Sequence, residues 1–146
     1  MAAPSTDLDS ALDHVVLLNS EHEPIGELPR SEVHGPRTPL HLAFSLYVFN
    51  SRGETLITRR ALSKRTWPGV WTNTCCGHPR PGESLPAAIR RRLSDELGLE
   101  VGDMECVLPD FAYRATDASG IEENEICPVF AARPLHPSAS LLPNPD

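Results

Sequence analysis

No apolar run in this chain reaches the roughly 20 residues that a membrane-crossing helix needs. The opening MAAPSTDLDS lacks the basic-then-apolar order of a secretory leader. Positive charge is scarce as well. Thirteen Lys and Arg against 20 Asp and Glu leave a net charge of −7, which excludes a general basic face for nucleic acid or for a membrane surface. A local group of cations, and with it a small anionic ligand, stays open. No C-x-x-C pair occurs among the four cysteines, Cys75, Cys76, Cys106 and Cys127. Adjacent Cys75 and Cys76 could be joined only with strain, so reduced thiols in the cytoplasm are expected rather than a disulfide framework. Proline, by contrast, is abundant: 15 residues, gathered toward the two ends.

At 146 residues the chain has the length of one domain, and a domain of that size buries roughly 70% of its unfolded surface without a staple. Residues 1–13 read as a disordered tail and 134–146 (PLHPSASLLPNPD) as a second tail, leaving 14–133 as the domain, expected as a monomer. Within it His14–Asn19, Leu42–Phe49, Thr55–Arg60, Val70–Cys76, Val107–Tyr113 and Glu122–Arg133 read as strands. Residues 20–40 read as turns and polar loop, Ser51–Glu54 as a turn and Leu62–Gly69 as a basic loop. The clearest helix is Leu85–Leu97. Ser84 can cap it, Pro86 sits harmlessly in its first turn, and Gly98 ends it. Leu85, Ala88, Ile89, Leu93 and Leu97 share one face. Strands interrupted by one helix predict an α+β fold, a mixed sheet with a packed helix.

Several residues carry metal and proton chemistry. Glu123 and Glu125, one residue apart in a strand, point to the same face. Cys76 and His78 have the same spacing around Gly77, His41 opens a strand, and His34 lies in the loop before it. Three imidazoles and two carboxylates could complete a five-ligand site with one open position. Such a set suits manganese, zinc or magnesium without choosing among them. His14, His22 and His136 are read as ordinary histidines, and Cys75, Cys106 and Cys127 as packing residues. Arg59, Arg60, Lys64 and Arg65 place four positive charges in seven residues of an acidic chain. Arg60 and Lys64, then Arg30, are the candidates to hold a diphosphate, which needs fixed cations. Arg92 and Glu96 stand one helical turn apart on one face. Arg92 suits a diphosphate or a carboxylate, and Glu96 a hard cation beside a diphosphate.

Residues 77–99, GHPRPGESLPAAIRRRLSDELGL, resemble the Nudix box: Gly77, Glu83, Arg91, Leu93, Glu96, Gly98 and Leu99 fall on its frame without a gap. Arg92 and Asp95 depart from it, since a Nudix hydrolase has Glu at both. Outside the box, HLAFSLYVFN, TRRALSK, WPGVWTN, CGHP and ENE resemble type I isopentenyl diphosphate isomerases, from about His14 to Arg133. The resemblance implies a Nudix-like αβα sandwich and a metal held by His34, His41, His78, Glu123 and Glu125. It also implies Cys76 as acid or base, and a second cation, Mg²⁺, bound by Glu96 and the Cys76 carbonyl beside the diphosphate. The activity implied moves a double bond between isopentenyl and dimethylallyl diphosphate, small-molecule partners. Cys76 and Glu125 exchange the protons and Tyr113 orients or relays near Glu125. The resemblance further implies that the C-terminal elements, with the tryptophan that shields the cation, are missing; Trp67 and Trp71 match other positions. Two alternatives stand beside it: a Nudix hydrolase of nucleoside diphosphate derivatives, and an inactive metal- or diphosphate-binding remnant. Arg92, Asp95 and the His/Glu set speak against hydrolysis.

Overall fold

The structure, a computed structural model, describes residues 13–136. The expected N-terminal tail, apart from Asp13, lies outside the described residues, as does the expected C-terminal tail beyond His136. The start of that second tail is tied down: Pro134 bridges Val101, and the Leu135 N–H donates to the Glu100 carbonyl at 2.9 Å.

The elements in order are β1 (His14–Leu18), β2 (Pro24–Pro29), α1 (Arg30–Val33), β3 (His41–Leu42), β4 (Phe44–Val48), β5 (Thr58–Arg59), β6 (Trp71–Thr72), β7 (Cys75–Gly77), α2 (Leu85–Leu97), β8 (Glu105–Leu108), β9 (Ala112–Thr116), β10 (Glu122–Ile126) and β11 (Val129–Ala132). They form a five-stranded sheet in the order β2-β1-β3-β10-β9, a four-stranded sheet β7-β4-β11-β8, and a two-stranded ribbon β5-β6. Both larger sheets are mixed: β3 runs parallel to β10 and β4 parallel to β11, with antiparallel pairs around them.

The helix forms as its sequence predicts. The Ser84 hydroxyl accepts from the Ala87 N–H, and Gly98, at φ 59°, turns its own N–H onto the Ser94 carbonyl. Ala88, Ile89, Leu93 and Leu97 are buried with Phe44, Leu46, Val48, Cys75 and Phe130 in one core. Burying a side chain of the size of Ile89 or Leu93 contributes about 1.5–3 kcal/mol, so this single apolar face anchors α2 to the four-stranded sheet. Gly77 lets it come close. A Cβ there would stand 3.1 Å from Phe44 Cζ and 3.3 Å from Arg92 Cγ.

Several expected strands are divided. Leu42–Phe49 breaks at Ala43 into β3 and β4, and Glu122–Arg133 breaks at Cys127–Pro128 into β10 and β11. Each run thereby leaves the five-stranded sheet and enters the four-stranded one. The crossings are matched: the Ala43 N–H donates to the Ile126 carbonyl at 2.8 Å, and the Ser45 N–H to the Pro128 carbonyl at 3.0 Å. Val107–Tyr113 is likewise two edge strands, β8 and β9, parted near Pro109, which has no N–H to offer a ladder. Val70–Cys76 separates into β6 and β7, and Thr55–Arg60 contributes only β5 and one bridge from Thr55 to Phe49. Within the expected loop of residues 20–40, β2 and α1 form. Most of β2 is exposed, so it carries no apolar alternation to read; pairing with β1 makes it a strand. Cys106, expected to pack, is exposed on the edge strand β8.

Candidate metal centre and substrate cleft

The seam where both runs change sheets gathers the chemically active residues. Across the five-stranded sheet the register puts His41 of β3 and Tyr113 of β9 on either side of Glu125 of β10. Glu123 lies two residues before Glu125 on the same face of β10. From the other sheet, β7 pairs through Cys76 with Ser45 of β4 and delivers His78 just past its end. His34 comes from the loop after α1.

The Nudix-like frame holds the His78 segment in place. Arg91 of α2 donates twice to Glu83, Nε and Nη2 each at 2.9 Å, and Nη2 also reaches the His78 carbonyl at 3.3 Å. The Glu83 carboxylate in turn accepts from the Arg80 N–H at 3.0 Å. The Arg91 guanidinium holds the Glu83 carboxyl below its ordinary range, against partial burial.

His34 Nε2 lies 2.7 Å from Glu123 Oε2, and His78 Nε2 lies 3.0 Å from Glu125 Oε2. His41 Nε2 faces both carboxylates, at 3.2 Å from Glu123 Oε1 and 3.5 Å from Glu125 Oε2. One ligand atom from each of His34, His41, His78 and Glu123 lies within 4.8 Å of the others. The fifth expected residue, Glu125, joins through His41 and His78.

This donor set fits a divalent cation. The His41 Nδ1 is 2.9 Å from the Pro39 carbonyl, so in the neutral imidazole the proton sits there and Nε2 offers a lone pair. That lone pair looks at His78 Nε2 from 3.2 Å. Two imidazole nitrogens, each about 2.1 Å from one ion, stand ~3.0–3.4 Å apart. Protons can hold the same group together. Burial of His41 acts against its charged form, yet Glu123, Glu125 and the Pro39 carbonyl raise it to about 10. Burial would likewise raise Glu125, but the His41 and His78 imidazoles and the Tyr113 hydroxyl keep it well below the ordinary carboxylate range. Glu123 is lowered by His34 and His41, again against burial.

Tyr113 donates its hydroxyl proton to Glu125 Oε1. Burial and the Glu125 charge push that phenol far above its ordinary range. Cys76 is partly buried, and burial with the charges of Glu96 and Glu125 raises its thiol to about 11. The thiol is therefore protonated at neutral pH while Glu125 is ionised. The Cys75 thiol lies 3.6 Å from Glu96 Oε2 and 4.0 Å from the Cys76 carbonyl, so both oxygens expected to hold a second cation border one sulfur.

The expected cations converge less symmetrically. Arg92 Nη2 pairs with Glu96 Oε1 at 2.6 Å, while Arg92 Nε is buried with no hydrogen-bond partner. Lys64 is lowered by burial and then by the nearby charge of Arg92; Glu96 acts the other way, and Arg60 and Arg30 add smaller lowering effects. Arg60, however, spends Nε and Nη2 on the Thr66 carbonyl at 3.1 and 3.0 Å, and Arg30 pairs with Asp13 at 3.0 Å. A cleft of about 90 Å³ is lined by Arg30, His78, Arg80, Arg91 and Arg92 together with the carboxylates of Asp13 and Asp95. Arg80 went unread in the sequence, although it follows His78 by two residues.

Comparison with known proteins identifies the family. The family model described as the NUDIX domain matches residues 39–145. The chain is 60% identical over 130 residues to an isopentenyl-diphosphate Delta-isomerase of Frankia alni, covering 89% of this chain and 66% of that protein. It is 58% identical over 145 residues to the isopentenyl-diphosphate Delta-isomerase of Agromyces mediolanus, covering 99% of this chain and 68% of that one. The chain thus spans about two thirds of the length of these relatives. Among solved structures it is similar in fold to DR0079 from Deinococcus radiodurans, with a TM-score of 0.65 and 21% identity over 90% of this chain and 76% of that one.

Proposed function

Because the chain belongs to the isopentenyl-diphosphate Delta-isomerase family of Nudix-domain proteins, we propose that it interconverts isopentenyl and dimethylallyl diphosphate. The observation that carries the reading is the seam itself: a three-His, two-Glu group lies beside a protonated thiol and a Tyr113–Glu125 hydrogen bond. The Arg92–Glu96 ion pair argues in the same direction. It places a cation where hydrolases of the superfamily carry a carboxylate.

An unactivated alkene is a weak base, so the reaction needs a positioned acid and a positioned base. A C–H bond forms at the terminal CH₂ carbon, leaving a tertiary cation. A C–H bond of the neighbouring CH₂ then breaks, and its electron pair becomes the new double bond. Cys76 and Glu125 are the two groups assigned to these protons. The reaction is reversible, so the group that is an acid in one direction is the base in the other. Tyr113 donates its hydroxyl proton to Glu125 Oε1 and would orient that carboxylate or relay its proton. His34, His41, His78, Glu123 and Glu125 would hold Mn²⁺, Zn²⁺ or Mg²⁺. Such an ion supplies charge that fixes and polarises the Glu125 carboxyl. Glu96 and the Cys76 carbonyl would hold Mg²⁺ with the diphosphate, and Lys64, Arg60, Arg30 and Arg92 would neutralise its oxygens.

Among the described residues no helix is long and apolar enough to cross a membrane, and all four cysteines are free thiols. The second fact supports a reducing, cytoplasmic setting.

The test is incubation of the metal-loaded protein with isopentenyl diphosphate in D₂O, following carbon-bound deuterium and released phosphate together. Deuterium in a methyl carbon of the dimethylallyl product, with the diphosphate intact, is the expected result. Phosphate or pyrophosphate release without deuterated carbon would overturn the proposal in favour of hydrolysis.

A further inference from the structure

Glu122 and Asn124 alternate with Glu123 and Glu125 along β10 and so lie on its opposite face. Both are bound to the segment of residues 34–41, HGPRTPLH, which brings two of the three imidazoles. The contact is dense. The Thr38 N–H donates to Glu122 Oε1 at 3.0 Å, and the Asn124 amide donates to the Thr38 carbonyl at 3.2 Å. The Glu122 N–H donates to the Gly35 carbonyl at 2.8 Å. The Thr38 hydroxyl has one proton and two carbonyls in range, Glu122 at 2.5 Å and Gly35 at 3.3 Å; the nearer takes it. Its oxygen then accepts the Gly35 N–H at 3.2 Å. Arg114 closes the arrangement by donating to Glu122 Oε2 at 2.8 Å. Thr38 is 4% exposed and Glu122 8%, so neither exchanges these bonds for water easily.

The two histidines of this segment are held differently. His41 belongs to β3, pairs with Leu17 and Glu125, and has its ring fixed by the Pro39 carbonyl. His34 belongs to no strand; it is the residue where α1 ends. Pro36 and Pro39 remove two N–H donors from the stretch between them, so ladder pairing cannot order it. Val33 is buried just before His34, and on its other side the bonds at Gly35 and Thr38 hold the chain. A ligand already fixed loses little conformational freedom when it takes up an ion, whereas a free one loses much.

We propose that Thr38, Glu122 and Asn124 are positioning residues of the metal centre, a latch that seats the His34 loop on the back of β10 and so sets the reach from His34 to Glu123. The inference rests on the metal-site reading given above. It assigns a purpose to the first and third residues of the Glu122-Glu123-Asn124-Glu125 run, whose second and fourth face the ion.

The experiment measures Mn²⁺ affinity of the metal-free whole chain by competition with a metal buffer, beside its far-ultraviolet spectrum. Thr38→Val is expected to weaken Mn²⁺ binding by roughly 10–100-fold, the usual cost of losing an outer support. Thr38→Ser, which keeps the hydroxyl, should bind as the parent does, and Asn124→Ala should show a smaller loss. In a His34→Ala background, Thr38→Val should cost nothing further, because the latch acts through His34. Unchanged affinity in Thr38→Val, or an equal loss with and without His34, overturns the latch and leaves the metal centre standing. If Thr38→Val does not fold, Asn124→Ala carries the same comparison. Failure of the parent protein to bind Mn²⁺ overturns the metal centre and the latch with it.

Discussion

Cys76 and Cys127 are two thiols of one small region, and burial raises both. Their surroundings separate them. Glu125 acts on both, but Cys76 also feels Glu96 and precedes Gly77-His78 on β7, whereas Cys127 is buried at the crossing between β10 and β11. Replacing Cys76 with Ala should lower isomerase turnover by roughly 10²–10⁴-fold, the range for losing an acid–base group, with fold and metal content kept. Cys127→Ala should leave turnover close to the parent's. A steady-state assay with metal analysis checks both, and near-normal turnover in Cys76→Ala would make it a packing residue. Cys106 shows where single-residue reading stops. Its type predicts burial, but it lies on an edge strand whose residues are exposed.

At the level of elements, α2 was legible to the residue because its signals are local: a cap, an apolar stripe and a terminating glycine lie within fifteen positions. Its docking depends on a residue outside it. Gly77→Ala places a methyl group 3.1 Å from the Phe44 ring and 3.3 Å from the Arg92 stem, so both side chains must give by a few tenths of an ångström. We expect a loss of about 1–3 kcal/mol, typical of overpacking, and a weakened Arg92–Glu96 pair. Thermal denaturation measures the first, and the KM for the diphosphate substrate measures the second. An unchanged midpoint would mean that the Phe44 ring turns aside freely. Strand boundaries were less legible. A buried apolar run such as Leu42–Phe49 reads as one strand whether it serves one sheet or two.

For the whole molecule, the buried His/Glu group ties stability to pH and, on the proposed reading, to metal. In the metal-free protein His41 is raised from 6.5 to about 10. Its contribution is therefore fully present below about pH 6.5 and is lost as pH rises toward 10. Glu123 and Glu125 lie below their ordinary 4.5, so their contribution is present above that value and lost as pH falls. The chelated protein should be most stable between about pH 4.5 and 6.5, with its thermal midpoint falling on the alkaline side. A divalent cation bound through the His41 Nε2 would replace that proton, so the loaded protein should keep its midpoint there. Melting curves at several pH values, with chelator and with Mn²⁺, test this; a chelated protein equally stable from about pH 6 to 9 would contradict it.

The sequence by itself determined the α+β class, the helix with both of its caps, the absence of a crossing helix among the described residues, and which residue types are chemically able to hold an ion or move a proton. Those properties are local or compositional, and a linear pattern records them. Tertiary structure alone decided that two strand runs change sheets at one level, and that His41, Glu125 and Tyr113 fall into one row. It also decided that Arg60 and Arg30 are partly engaged within the protein, and that Glu122 and Asn124 face away from the site to grip the His34 loop. Each of these joins residues far apart in the chain, such as Thr38 and Glu122. Such contacts are set by strand register and by the packing of buried polar groups, which must find partners wherever the fold brings them.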